Sequence, residues 1–98
     1  MKKTANMVVL SAADNVGIAL ADIAGHGLAE ALDGRSVEAG ETIPLGHKVA
    51  LRPIAAGEEI VRFGVPVGIA TLSIDAGRLV HVHNVRSRHF DNDENHYE

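Results

Sequence analysis

The amino-acid sequence predicts a small all-β domain with no more than a few short helical turns. Three observations carry that expectation. Apolar residues alternate with other, mostly small ones in Val16, Ile18 and Leu20, and again in Phe63, Val65, Val67 and Ile69, a period of two that belongs to extended chain. A module of apolar residue, two residues, glycine, two residues, apolar residue recurs as VEAGETI from Val37, IPLGHKV from Ile43, IAAGEEI from Ile54 and IDAGRLV from Ile74. Each glycine suits a turn needing positive φ before a strand resumes. The best helical candidate, LAEAL from Leu28 to Leu32, is limited by flanking glycines to a turn or two, with a loop as the equal alternative.

Taken in order, Met7 to Leu10 is too short for a membrane span or a signal core and reads as a leading strand. Asp14 and Asn15 precede the Val16 strand, where Asx side chains commonly hold a turn by bonding nearby backbone. Large residues of the Val16 and Phe63 strands are expected inward, with Gly and Ala against a neighbouring backbone. Pro66 places its stretch at an edge or a bend. The modules recur at irregular intervals, so they are one turn device reused within one fold rather than a solenoid. Residues 1–86 form the domain, and 87–98, SRHFDNDENHYE, form an acidic tail expected to be mobile.

Ninety-eight residues make one domain, near the small end of what buries a stable core unaided. Hydrophobic residues are 46% of the chain but aromatic ones only 3%, so Val, Ile, Leu and Ala must pack closely. The absence of cysteine excludes a disulfide scaffold, a thiolate nucleophile and a cysteine metal site, and fits a cytoplasmic setting. The net charge of −4 lies mostly in the tail, and no cluster of Lys and Arg suggests nucleic acid. There is no GxGxxG, phosphate-binding loop, GxSxG or HExxH.

The stretch LVHVHNV, residues 79–85, spaces His81 and His83 two apart before Asn84. In a pleated strand Val80 and Val82 would point one way and both imidazoles the other, about 6–7 Å apart at Cα. Two imidazoles so placed can converge on one divalent ion at about 2.0–2.2 Å. Two ligands do not complete a site, and a solvated strand face is the competing reading. His47 and Lys48 follow Gly46 at a turn, where an imidazole titrating near neutrality and a cation for a carboxylate could be aimed into a pocket; plain solvated side chains compete there too. His26 lies in a loop, AGHGL, and His89 and His96 lie in the tail.

Taken together, DNVGIAL (14–20), IPLGHKVAL (43–51), IAAGEEIVRFGVPVGIA (54–70) and HVHN (81–84) resemble, in this order, the N-terminal SAF domain of altronate and galactarate dehydratases. The resemblance covers about residues 7–86. It implies a β-clip fold and a role in removing water from hexonic or hexaric sugar acids to give 2-keto-3-deoxy acids, with ferrous iron or another divalent metal. Such an elimination needs a base for the proton α to the carboxylate, an acid for the departing hydroxyl and stabilisation of the enolate. The resemblance offers His47 and Lys48 as catalytic groups, His81 and His83 as metal ligands, and Asp14, Asn15 and Asn84 as substrate-binding groups.

The chain stops soon after HNVRS, short of the family's large catalytic region. A domain this small is not expected to enclose a hexonate and exclude water alone. The expectation is therefore a small subunit beside a separate large catalytic subunit, with a sugar acid as substrate, no membrane or nucleic-acid partner, and self-association open as a means of covering an edge strand. The same residues allow the small subunit of a sulfolactate sulfo-lyase. A non-catalytic SAF module binding a sugar acid or a protein is the alternative from another class. An assembly chaperone like those serving the flagellar P-ring ranks last, since GHK and HxHN have no purpose there.

Overall fold

The structure, a computed structural model, describes residues 5–87, all strands, turns and bends with no helix among them. β1 (Met7–Val8), β2 (Val16–Ala19), β5 (Lys48–Ala50) and β8 (Leu79–Val80) form one antiparallel sheet in the order β1-β2-β5-β8. β6 (Glu59–Arg62), β7 (Val65–Ala70) and β9 (Val85–Ser87) form a second, with β7 central, while β3 (Leu28–Glu30) and β4 (Ser36–Glu38) pair as a hairpin.

One backbone device organises these strands and is used four times in two reciprocal pairs. An alanine ends or directly follows a strand, an isoleucine comes four residues later, and a residue of positive φ three beyond that lies two residues before the next strand. The four are Ala19–Ile23–His26, Ala39–Ile43–Gly46, Ala50–Ile54–Gly57 and Ala70–Ile74–Gly77, with φ of 72°, 84°, 90° and 86° at the last position. Within each pair the isoleucines exchange both backbone hydrogen bonds at 2.8 Å, Ile23 with Ile43 and Ile54 with Ile74. Each positive-φ residue donates its N–H to the alanine carbonyl of the other member, His26 to Ala39 at 2.7 Å and Gly46 to Ala19 at 2.8 Å. Gly57 to Ala70 and Gly77 to Ala50, both at 2.8 Å, repeat the pattern. All four alanines and all four isoleucines are buried. A larger side chain in place of alanine would hold the two segments too far apart for the exchange.

Three of the expected modules are members of this set, and the fourth is not. VEAGETI is replaced by Ile23–Ala–Gly–His26, hidden in the sequence because histidine, not glycine, takes the left-handed position. Gly40 instead donates to the Gly77 carbonyl at 2.9 Å, where the two halves meet.

The core has two adjoining clusters, one around Met7, Ile23, Ile43 and Val49 and one around Val16, Ile54, Ile60, Ile74 and Val80. The expected facing holds at Val16, which is buried, and fails further along both strands. Ala19 is 1% exposed where Leu20 is 51% exposed, and Gly68 and Ala70 are buried while Val65 is exposed. Small residues face inward because neighbouring groups come too close for anything larger: a Cβ on Gly68 would meet Val85 Cγ1 at 2.6 Å and the Arg86 carbonyl oxygen at 2.9 Å. LAEAL is likewise not helical. Its first three residues are β3, paired with β4 in the register Ala29↔Val37, which satisfies backbone groups that one helical turn would leave open. Pro66 lies on β7 next to the bulge between β6 and β7, in keeping with the bend expected of its stretch. The acidic tail lies outside the described residues, except that Ser87 closes β9.

Candidate functional site

Two of the turns bring the sequence-predicted residues together. Lys48 opens β5 directly after the Gly46 turn, and its register partner is Val80 of β8, which sets residues 47–48 beside 80–81. The imidazoles of His47 and His81 consequently pack edge to face, with ring centroids 5.0 Å apart and planes inclined by 62°. His47 Nδ1 lies 3.3 Å from the Leu45 carbonyl oxygen of its own turn, which helps fix the ring.

HVHN is not a continuing strand. β8 ends at Val80, and residues 81–84 form a turn in which the Asn84 N–H donates to the His81 carbonyl at 3.0 Å. The Asn84 side chain clamps it: Oδ1 accepts the His81 N–H and Nδ2 donates to the Leu79 carbonyl, each at 2.9 Å. This is the local competition that asparagine offers to a strand ladder. The expected pleat with both histidines on one face therefore does not form. Val80 is buried as expected, but Val82 is 51% exposed, and the ring against His81 is that of His47, with His83 exposed on the turn.

Beside His81 opens a pocket of about 190 Å³, with Lys48, Arg62 and His81 as its polar lining and Ile60, Val67 and Val80 among its apolar walls. Arg62 was not singled out from the sequence, and it is the most informative residue here. It follows Ile60 by two in β6 and so shares the core-facing side of that strand, a position where an apolar residue belongs. Its guanidinium carbon lies 5.3 Å from the centroid of the Phe63 ring, and its Nε is buried without a hydrogen-bond partner among the described residues. A buried donor left unpaired costs about 1–3 kcal/mol. Burial also pushes the Lys48 ammonium below the ordinary lysine range, and the positive charge of Arg62 pushes it further the same way. Two cations thus line one pocket, and among the described residues neither forms an ion pair with a carboxylate.

The groups expected to touch substrate, Asp14, Asn15 and Asn84, are instead buried at 6%, 1% and 6% exposure, with their polar atoms bonded to backbone. Asp14 Oδ2 accepts the N–H groups of Leu10 and Ser11 at 3.1 Å, and Oδ1 accepts that of Gly64 at 2.7 Å. Asn15 donates to the Glu59 carbonyl at 2.9 Å and accepts the Val61 N–H at 2.8 Å. Their partners at 59, 61 and 64 bracket Arg62. These bonds give all three a positioning role: the loop before β2 holds the strand that carries the guanidinium, while Asn84 shapes the turn that carries His81 and His83. Buried amides satisfied on both sides rigidify what they join.

Among the described residues, no group of three or more His, Asp or Glu side chains is gathered to hold a metal ion. The two imidazoles that meet, His47 and His81, pack edge to face and fall short of such a group by themselves. His26 is exposed, with Nδ1 3.2 Å from Glu38 Oε2, and stands apart from the pocket residues. No helix among the described residues is long and apolar enough to cross a membrane.

Comparison with known proteins gives a consistent result. Residues 5–88 match the altronate/galactarate dehydratase SAF domain. The chain is 38% identical over 91 residues to altronate dehydratase of Escherichia coli, covering 93% of this chain and 18% of that protein. To altronate dehydratase of Bacillus subtilis it is 40% identical over 74 residues, 76% of this chain and 15% of that protein. It is also 41% identical over 51 residues to the alpha subunit of (2R)-sulfolactate sulfo-lyase of Chromohalobacter salexigens, 52% of this chain and 54% of that one. The chain thus spans less than a fifth of the dehydratases it matches.

Proposed function

From the premise that this chain belongs to the altronate/galactarate dehydratase SAF domain family, with the all-β SAF architecture described above, we propose that it is the small subunit of a sugar-acid dehydratase. Together with a separate large subunit it eliminates water from a hexonate or hexarate to give a 2-keto-3-deoxy acid, in the cytoplasm. The observation that carries this reading is the contact of His47 with His81, which joins two distant turns next to a pocket lined by His81, Lys48 and Arg62.

The chemistry asks for a group that removes the proton α to the carboxylate and one that protonates the departing hydroxyl. An imidazole serves either role near neutral pH, and a lysine whose ammonium is destabilised by burial gives up its proton more readily than an ordinary one. His47 and Lys48 are assigned to these proton transfers. A divalent ion such as ferrous iron, when bound, would supply charge stabilisation for the enolate; His81 and His83 would be this chain's ligands to it, with the remaining ligands from the large subunit. An open pocket of about 190 Å³ leaves the outer part of a hexonate in water unless a second polypeptide covers it.

The match to sulfo-lyase alpha subunits supports a second reading of the same site, elimination of sulfite from a sulfolactate beside another subunit. The test is reconstitution. The purified chain alone should show no turnover, and addition of the large subunit should restore elimination from altronate or galactarate; sulfolactate serves as the third substrate. His81→Ala should lower the reconstituted rate at least 100-fold. Full activity of the lone chain would overturn the division of labour, and an unchanged rate in the His47→Ala/His81→Ala double variant would leave a non-catalytic binding module.

A further inference from the structure

The pocket sets two cationic side chains among apolar ones. Arg62 occupies a core-facing register position, its Nε is buried with no partner among the described residues, and Lys48 lines the same cavity. Chains do not ordinarily keep two cations together at an apolar wall without a counter-charge, because burial removes the water that would solvate them. The bracket of Asp14 and Asn15 hydrogen bonds to residues 59, 61 and 64 holds Arg62 in place, so the strand cannot readily roll its guanidinium out to solvent. The Phe63 ring supports the guanidinium from one side.

We infer that Arg62, with Lys48 beside it, forms a subsite for the carboxylate of a small hydroxy acid, and that Arg62 is the residue that selects an acid over a neutral polyol. The planar fork of a guanidinium matches the two oxygens of a carboxylate and offers paired donors that an ammonium cannot. Volume sets the extent of what enters. A cavity of about 150 Å³ holds a benzene ring, so about 190 Å³ takes a carboxylate with one or two hydroxylated carbons. The remainder of a longer chain lies across the His47–His81 pair, which lets this subsite orient the acid with its first carbons under the imidazoles.

The inference rests on the proposed function for its substrate class but not for its test, which uses the lone chain and no turnover. The full chain, labelled with nitrogen-15, is titrated with glycolate, methanesulfonate and ethylene glycol while backbone amide shifts are followed. Glycolate should move the amides of Arg62, His81 and Val82 saturably, and ethylene glycol at the same concentration should leave them in place. Arg62→Gln should weaken glycolate binding at least tenfold with the remaining amides unmoved. Glycolate affinity unchanged in Arg62→Gln, equal shifts with ethylene glycol, or shifts scattered over the surface would overturn the subsite. Methanesulfonate binding as tightly as glycolate would overturn the preference for a carboxylate. Loss of glycolate binding leaves the reconstituted turnover of the His47 and His81 variants to be read independently, and a failed reconstitution leaves the titration intact.

Discussion

Replacing Arg62 by methionine should make the isolated chain more stable while removing a cation its site needs. The guanidinium Nε is buried and unpaired, which costs about 1–3 kcal/mol. Methionine keeps most of the length of the stem, presents no donor and adapts its shape to the apolar walls of Ile60 and Val67. Against that gain stands the loss of the cation over Phe63 at 5.3 Å, about 0.5–1 kcal/mol for a ring that is partly exposed. The balance favours the variant by about 1 kcal/mol. For a domain of this size that raises the melting temperature by about 4–8 °C, readable by circular dichroism or calorimetry at constant pH and salt. Arg52→Met is the control, since that guanidinium pairs at the surface with Glu58 and its loss should be neutral or slightly destabilising. A melting temperature for Arg62→Met below that of the unaltered chain would refute the claim that Arg62 is held at a cost to the fold.

Further outcomes follow from the same geometry. Asn15→Ala strands the Glu59 carbonyl and the Val61 N–H in a fully buried site, and should lower stability in urea by about 2–4 kcal/mol; a loss under 1 kcal/mol would return Asn15 to the pool of ligand-binding candidates. Asn84→Ala should separate the His47 and His81 rings by freeing the turn at 81–84, seen as loss of nuclear Overhauser contacts between them while the β2–β5 contacts persist. Glu58 accepts hydrogen bonds from Arg52 and from the Ala55 N–H, which hold its carboxyl below the usual range. Its folded pKa is depressed, so its contribution is complete above the unfolded carboxylate pKa and fades as pH falls through the folded value. Unfolding curves of the native chain and Glu58→Gln should differ slightly at neutral pH and converge in acid; a gap that widens in acid would contradict the sign.

Much of the fold was legible because its signals are local. The positive-φ glycines at 46, 57 and 77 announce turns wherever the chain puts them, and the alternation around Val16 and Val65 announces strands. Facing was not legible, because alternation tells that two sides differ and not which is inner. Gly68 and Ala70 face inward only because β9 and its side chains come close enough to exclude a larger group. His26 concealed a fourth turn for a related reason: a histidine reaches the left-handed region when the tertiary hydrogen bond to Ala39 holds it there. The functional residues divide in the same way. His47, Lys48 and His81 could be singled out by residue type, whereas the structural duties of Asp14, Asn15 and Asn84 depend on which backbone lies opposite them.

By itself the sequence determined an all-β chain, its turns, and the kinds of side chain available for chemistry, since backbone conformational preference and residue chemistry are properties of short segments. Only the tertiary structure decided that HVHN bends instead of running straight, that His81 meets His47, and that Arg62 is drawn toward the core beside Lys48. Those outcomes depend on hydrogen bonds and packing between residues up to 50 positions apart, and the energy of such contacts belongs to the closed fold and not to any stretch of it.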